Sequence, residues 1–190
     1  MHIAMTEPEI KLLSAFLRKT SNYLEFGTGG STVLANRLVA QRITSVDSSR
    51  EWIAAVETAC KQVEGTAAFD LVFTDIGPIG EWGFPKDPST SSRWPAYYEQ
   101  VWQLPQTFDT DFCLVDGRFR VACFLTILLR CKSDTLIGIH DFAGRPHYHV
   151  CREYAREVAV VEKLSIFIPN PTVSRQRIAE ELERHRLDPR

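Results

Sequence analysis

Tyr23-Leu24-Glu25-Phe26-Gly27-Thr28-Gly29-Gly30-Ser31-Thr32 constrains this chain more than any other stretch. A short apolar run carrying a carboxylate enters a glycine-rich turn and then a helix. Gly27 and Gly29 permit positive φ or close backbone approach where a side chain would collide, and Ser31 or Thr32 can cap the helix that follows. Such a junction presents bare amides and a helix N-terminus to a small ligand. Glu25 restricts the choice of ligand, because a buried anion beside a pyrophosphate would repel it strongly in a low-dielectric cleft. The dinucleotide fingerprint also fails by count: Gly-x-Gly-x-x-Gly read from Gly27 puts Thr32 at the third glycine.

A ligand with an ammonium and a sulfonium suits Glu25 better. Glu25-Phe26-Gly27-Thr28-Gly29-Gly30-Ser31 resembles the first motif of class I S-adenosylmethionine-dependent methyltransferases. Downstream, Ile43-Thr44-Ser45-Val46-Asp47 is a β-rich run ending in an acid twenty positions after Gly27, placed to accept both ribose hydroxyls. The resemblance implies S-adenosyl-L-methionine as cofactor, held by Glu25, Gly27, Thr28, Gly29, Ser31, Asp47, Ser48 and Asp75. Glu25 and Gly27 would take the methionine end, Asp47 the ribose and Asp75 the adenine edge. Nicotinamide enzymes also use an acid like Asp47, so an NAD(P)-dependent oxidoreductase is the first alternative. A non-catalytic S-adenosylmethionine-binding protein is the second.

At 190 residues and 44% hydrophobic composition the chain suits one α/β domain spanning 1–190. The net charge of -2 gives no global basic footprint for nucleic acid or an anionic membrane, so the expected partner is a small-molecule acceptor. Cys60, Cys113, Cys123, Cys131 and Cys151 are odd in number and form no CxxC pair, reading as reduced core thiols. With no charged leader followed by an apolar run and no stretch of spanning length, the expected location is cytoplasmic.

Thr6-Glu7-Pro8-Glu9 is a capping box, and Ile10, Leu12, Leu13, Phe16 and Leu17 follow at helical spacing, predicting a leading helix over about 6–19. Apolar runs then alternate with amphipathic segments. Strands are expected at 22–26, 43–47, 69–75, 112–115 and 136–139, with helices at 31–40, about 48–60 and 120–130. This alternation gives a parallel sheet whose ligands sit at the carboxyl edge, at the topological switch point. A helix near 148–156 precedes two further strands, 158–161 and 165–168, matching the antiparallel pair that closes the methyltransferase sheet. The fold expected is α/β: a Rossmann-like, doubly wound, mostly parallel seven-stranded sheet with helices on both faces. Pro169 and Pro171 precede a polar helix at about 173–186, expected to be largely solvated.

Between the third and fourth strands, residues 76–98 form a long insertion containing Trp82, Phe84, Trp94, Tyr97 and Tyr98. Such length and aromatic content suit a lid over a ligand, a surface Ω-loop packed on itself, or, through exposed Trp82 and Trp94, a homodimer interface. Asp75 suits the rim of an adenine pocket, or a cap on the Gly77-Pro78 turn.

Leu114-Val115-Asp116-Gly117-Arg118 resembles the Asp-Gly stretch ending the fourth strand of small-molecule O-methyltransferases, where the acid faces the transferring methyl. Many such relatives carry a histidine two residues after that acid; this chain has Arg118. His140, at the end of the fifth strand beside Asp141, can take over proton removal, or be satisfied by a backbone carbonyl. Asp116, His140 and Asp141 are thus the catalytic candidates. They would also suit a divalent cation, but a further Asn or Asp ligand is missing and no metal is expected. Arg93, Arg118, Arg120 and Arg145 flank the cleft, either binding an anionic acceptor or pairing with Glu81, Asp87 and Glu99. Trp82, Trp94, Arg118 and Arg145 are the substrate candidates, the tryptophans holding an aromatic part.

Overall fold

The computed structural model describes residues 1–65 and 67–190. Its first element, α1 (Glu7–Leu17), starts at the capping box: Thr6 N–H donates to Glu9 Oε2 at 2.8 Å, Glu9 N–H reaches Thr6 Oγ1 at 3.5 Å, and Pro8 sits in the first turn. Alternating elements follow: β1 (Asn22–Phe26), α2 (Gly30–Leu38), β2 (Arg42–Asp47), α3 (Arg50–Lys61) and β3 (Ala68–Phe73). After the insertion and a short α4 (Ala96–Glu99) come β4 (Phe112–Val115), α5 (Arg120–Arg130), β5 (Leu136–Ile139), β6 (Ala155–Val161), β7 (Leu164–Pro169) and α6 (Arg175–His185).

The seven strands form one sheet in the order β3-β2-β1-β4-β5-β7-β6. Pairs from β3 through β5 are parallel, while β7 runs antiparallel to both β5 and β6. Side chains alternate between the faces as a pleated strand requires. Leu24, Phe26, Cys113 and Val115 enter a core with Tyr97, Phe124 and Ile178 of the α4, α5 and α6 side. Tyr23, Phe112 and Leu114 enter the opposite core with Leu13, Leu17 and Ala35 of α1 and α2. The expected doubly wound architecture is therefore present. Among the described residues, no helix is long and apolar enough to cross a membrane.

Two local expectations are corrected. The segment read as a helix at 148–156 is a 3₁₀ helix, Pro146–Glu153, and β6 begins at Ala155 because its ladder with β7 reaches back to the Ala155–Pro169 pair. Strand β3 stops at Phe73; Thr74 N–H still bonds the Asp47 carbonyl at 2.9 Å, and Asp75 lies beyond the sheet. Helix α6 is largely exposed as expected, with Ile178 packed into the core and Glu181 buried with Tyr154 Oη, Arg184 and His185 on its carboxylate.

Candidate active site

β1 and β4 are neighbours whose chains leave in opposite directions, β1 through α2 to β2 and β4 through α5 to β5. Their junction is the switch point of the sheet, where an open α/β fold leaves a crevice. The two strand-end turns meet there on bare backbone. Gly27 has φ of 101°, and a Cβ on it would collide with the Gly117 backbone. Over Gly29, by contrast, a Cβ would meet nothing within 4 Å, so the turn is open on its cleft side.

Glu25 lies beneath this turn. Its side chain is wholly enclosed: Ser31 Oγ donates to one carboxylate oxygen, and Thr32 Oγ1 at 2.6 Å and Ser45 Oγ at 3.3 Å serve the other. Burial pushes the carboxyl up to about 7 against the pull of those hydroxyls, with the charge of Asp116 adding to the rise. Thr32 Oγ1 in turn accepts from Gly29 N–H at 2.9 Å, so the carboxylate, the helix start and the turn form one unit. Glu25, expected at the methionine end, has its carboxylate enclosed under the turn, where the Thr28 hydroxyl also lies 2.8 Å from Ser45 Oγ.

Asp47 ends β2 at the cleft. Ser49 N–H donates to its Oδ1 at 2.8 Å, and burial raises its pKa against these amide bonds and the nearby Arg118 charge. Ser48 beside it is buried. Asp75 is outside this group. It accepts from Gly77 N–H at 3.0 Å and pairs with Arg93 at 2.7 Å, so the turn-capping arrangement is the one present.

The insertion folds back over the cleft rather than away from it. A Cβ on Gly83 would lie 3.6 Å from Ser48 Oγ and 3.7 Å from Arg118 Cγ, and the Phe84 ring stacks on the Arg118 guanidinium at 4.1 Å. The two tryptophans go elsewhere. Trp82 is 82% exposed with φ of 56°, while Trp94 packs on Phe119 with ring centroids 6.0 Å apart. Tyr97 and Tyr98 are core residues, and the Tyr97 hydroxyl accepts from Arg118 N–H at 3.3 Å.

On the far side of Gly117, Asp116, His140 and Asp141 converge, with ligand atoms within 4.8 Å of one another. His140 Nδ1 is 3.0 Å from Asp116 Oδ1, and its Nε2 is 3.5 Å from Glu9 Oε2 on α1. Burial alone would lower the imidazole pKa, but Asp116, Asp141 and Glu9 together raise it. Glu9 is itself enclosed and lowered, its backbone bonds from Thr6 and Lys163 outweighing burial. Arg120 clamps both aspartates, Nη2 at 3.2 Å from Asp116 and Nη1 at 3.4 Å from Asp141, while Arg145 takes Asp141 at 2.8 Å. These guanidinium groups occupy carboxylate lone pairs that a divalent cation would need and bring positive charge that opposes one, so the trio as paired does not suit a metal. Phe119, at φ of 54°, starts α5, and its N–H and that of Arg120 are capped by the Pro189 and Arg190 carbonyls.

The strand ends singled out in the sequence do converge, and their neighbours were not legible there. Glu9 was legible only as a capping residue; nothing local says that its carboxylate also faces His140. Phe84 was counted among the lid aromatics, but the conspicuous tryptophans drew the substrate assignment. Arg120 was read as a cleft cation, and its spacing of four from Asp116 on a helix start was the unused signal.

No family model matches the chain, and neither does any curated protein. Among solved structures, a methyltransferase-like protein from Silicibacter pomeroyi DSS-3 matches with a TM-score of 0.90 and 28% identity, over 99% of this chain and 98% of that one. A TehB-like SAM-dependent methyltransferase from Corynebacterium glutamicum matches at a TM-score of 0.51 and 12% identity, over 86% and 88% of the two chains. An RNA methyltransferase from Salinibacter ruber, solved with S-adenosyl-L-homocysteine, matches at 0.55 and 11%, over 90% and 97%. The chain has the class I methyltransferase fold.

Proposed function

We propose that this protein is a class I methyltransferase that binds S-adenosyl-L-methionine and methylates a small acceptor. The observation that carries the reading is the cradle at the switch point: the open Gly27–Gly29 turn, braced from below by Glu25 and from the side by Gly117, with the Asp47 carboxylate on the next strand end. These residues fit the cofactor. The open side of the Gly27–Gly29 turn takes its methionine end, and Asp47 and Ser48 take the ribose. The bound cofactor supplies an electrophilic methyl on a sulfonium.

The chain's own part is positioning, which provides much of the rate in such a displacement. Asp116 is the most exposed member of the Glu9–His140–Asp116 row and accepts a hydrogen bond from the acceptor's O–H or N–H. His140, held between two carboxylates that raise its pKa, fixes the Asp116 carboxylate. Asp141 holds Arg120 and Arg145 in place. Five unpaired thiols and the absence of a global basic charge favour a cytoplasmic reaction on a small molecule over one on nucleic acid.

Calorimetric titration of S-adenosylhomocysteine, with NADH as the control ligand, tests this reading. Micromolar binding in the wild type that is lost in Asp47→Ala is expected. Binding of NADH without the thioether would favour an oxidoreductase and overturn the proposal.

A further inference from the structure

Four arginines flank the cleft, and three of them are spoken for: Arg93 pairs with Asp75, Arg120 with Asp116 and Asp141, and Arg145 with Asp141. Arg118 is different. Its residue is 6% exposed, yet among the described residues its side chain lies in no ion pair and donates no hydrogen bond, and its Nε and Nη1 are enclosed without a partner. A guanidinium carries five N–H donors in a planar fork matched to carboxylate and phosphate. Leaving such a fork empty in a desolvated setting is costly, and buried polar groups without partners are rare enough that each points to a ligand or a strain.

The surroundings give no internal remedy. One face of the guanidinium is covered by the Phe84 ring, which holds the group flat and shields it from water without satisfying a single N–H. Arg120 and Arg145 lie near enough to depress its pKa, adding to the effect of burial, and Asp47 is near enough to feel its charge without forming an ion pair with it. The backbone of Arg118 is fixed by Tyr97 Oη on its N–H and by Cys123 on its carbonyl, which anchors the root of the side chain at this turn. It stands between Asp47 on the cofactor side and the Asp116 turn on the acceptor side.

Resting on the methyltransferase reading above, we infer that Arg118 is the receptor for an anionic group, a carboxylate or phosphate, on the acceptor. Phe84 closes over the pair, so that an anion in the fork is sealed from solvent beside Asp116. The acceptor is then a small acid whose nucleophilic O–H or N–H lies within a few bonds of its charge. The cofactor's own methionine carboxylate shares this chemistry, and the experiment must separate the two.

Benzoate and inorganic phosphate are titrated calorimetrically into the wild-type complex with S-adenosylhomocysteine, and into the same complexes of Arg118→Gln and Arg118→Lys. S-adenosylhomocysteine and 5′-methylthioadenosine, which lacks the carboxylate, are titrated into each protein alone. One of the anions is expected to bind the wild-type complex and to weaken about ten- to a hundredfold in Arg118→Gln, as for a lost charge-assisted bond. Arg118→Lys, which keeps the charge without the fork, is expected to fall between, and it carries the test if the glutamine variant does not fold. Both adenosyl ligands should keep their affinities within about twofold. No anion binding in the wild type, or equal binding in the variants, overturns the assignment. Loss of S-adenosylhomocysteine but not of 5′-methylthioadenosine also overturns it, by giving the fork to the cofactor. Failure of the wild type to bind either adenosyl ligand overturns the functional reading and this assignment with it.

Discussion

Replacing Glu25 by glutamine should abolish a specific pH dependence of stability. In the folded protein the wholly buried carboxyl is raised from 4.5 to about 7. The folded state therefore holds a proton that the unfolded chain has already released between those values, and stability falls as pH rises through the window. A shift of this size corresponds to about 3 kcal/mol, nearly all of it expressed between pH 4 and 8. Glutamine keeps the shape and can still accept a hydroxyl from Ser31 or Thr32, but it does not titrate. Urea unfolding at pH 4, 5, 6, 7 and 8 should show wild type losing about 3 kcal/mol more than Glu25→Gln across the series, with the variant the relatively more stable at pH 8. Parallel stability curves for the two proteins would refute the argument, because they would mean that Ser31, Thr32 and Ser45 cancel the cost of burying the charge.

Other perturbations reach different parts of the site. Asp116→Asn removes one of the carboxylates that raise His140, so the imidazole pKa followed by NMR should move down; in the wild type, the stability this interaction contributes is full below the unfolded value near 6.5 and is lost as pH rises through the higher folded value. Gly27→Ala meets both an unfavourable positive φ and the Gly117 backbone, and should cost about 2–5 kcal/mol by denaturant unfolding. Trp82→Ala should change stability by less than about 0.5 kcal/mol, whereas Trp94→Ala, which empties a site against Phe119, should cost about 3 kcal/mol.

Periodicity and strand-end acids were enough to read the sheet, because each strand and helix is specified by its own residues. Tyr23 and Leu24 alternate between the two cores, and Leu13 and Leu17 repeat at helical spacing, whatever lies across the molecule. Glu25, Gly27 and Asp47 were legible as one strand-end junction for the same reason: the residues that shape it are local. What the sequence did not disclose was direction and pairing. Whether Asp75 faces a pocket or its own turn depends on Arg93, and whether Glu25 looks into the cleft or beneath it depends on Ser45 of another strand. The 3₁₀ segment before β6 escaped notice because its helical apolar spacing is real, while its end is set by the reach of the β7 hairpin.

The meeting of Gly27 and Gly117 also bears on the order in which the molecule assembles. β1 reaches β2 through one short crossover helix, but it meets β4 only after the intervening chain, insertion included, has been drawn into a loop. Loop closure makes such distant pairings late and slow relative to local ones. The cradle therefore does not exist in any intermediate that contains the first half of the sheet alone. Recovery of ligand binding during refolding should lag the return of helical signal, and a ligand present from the start can hold the finished protein without hastening the steps that lead to it.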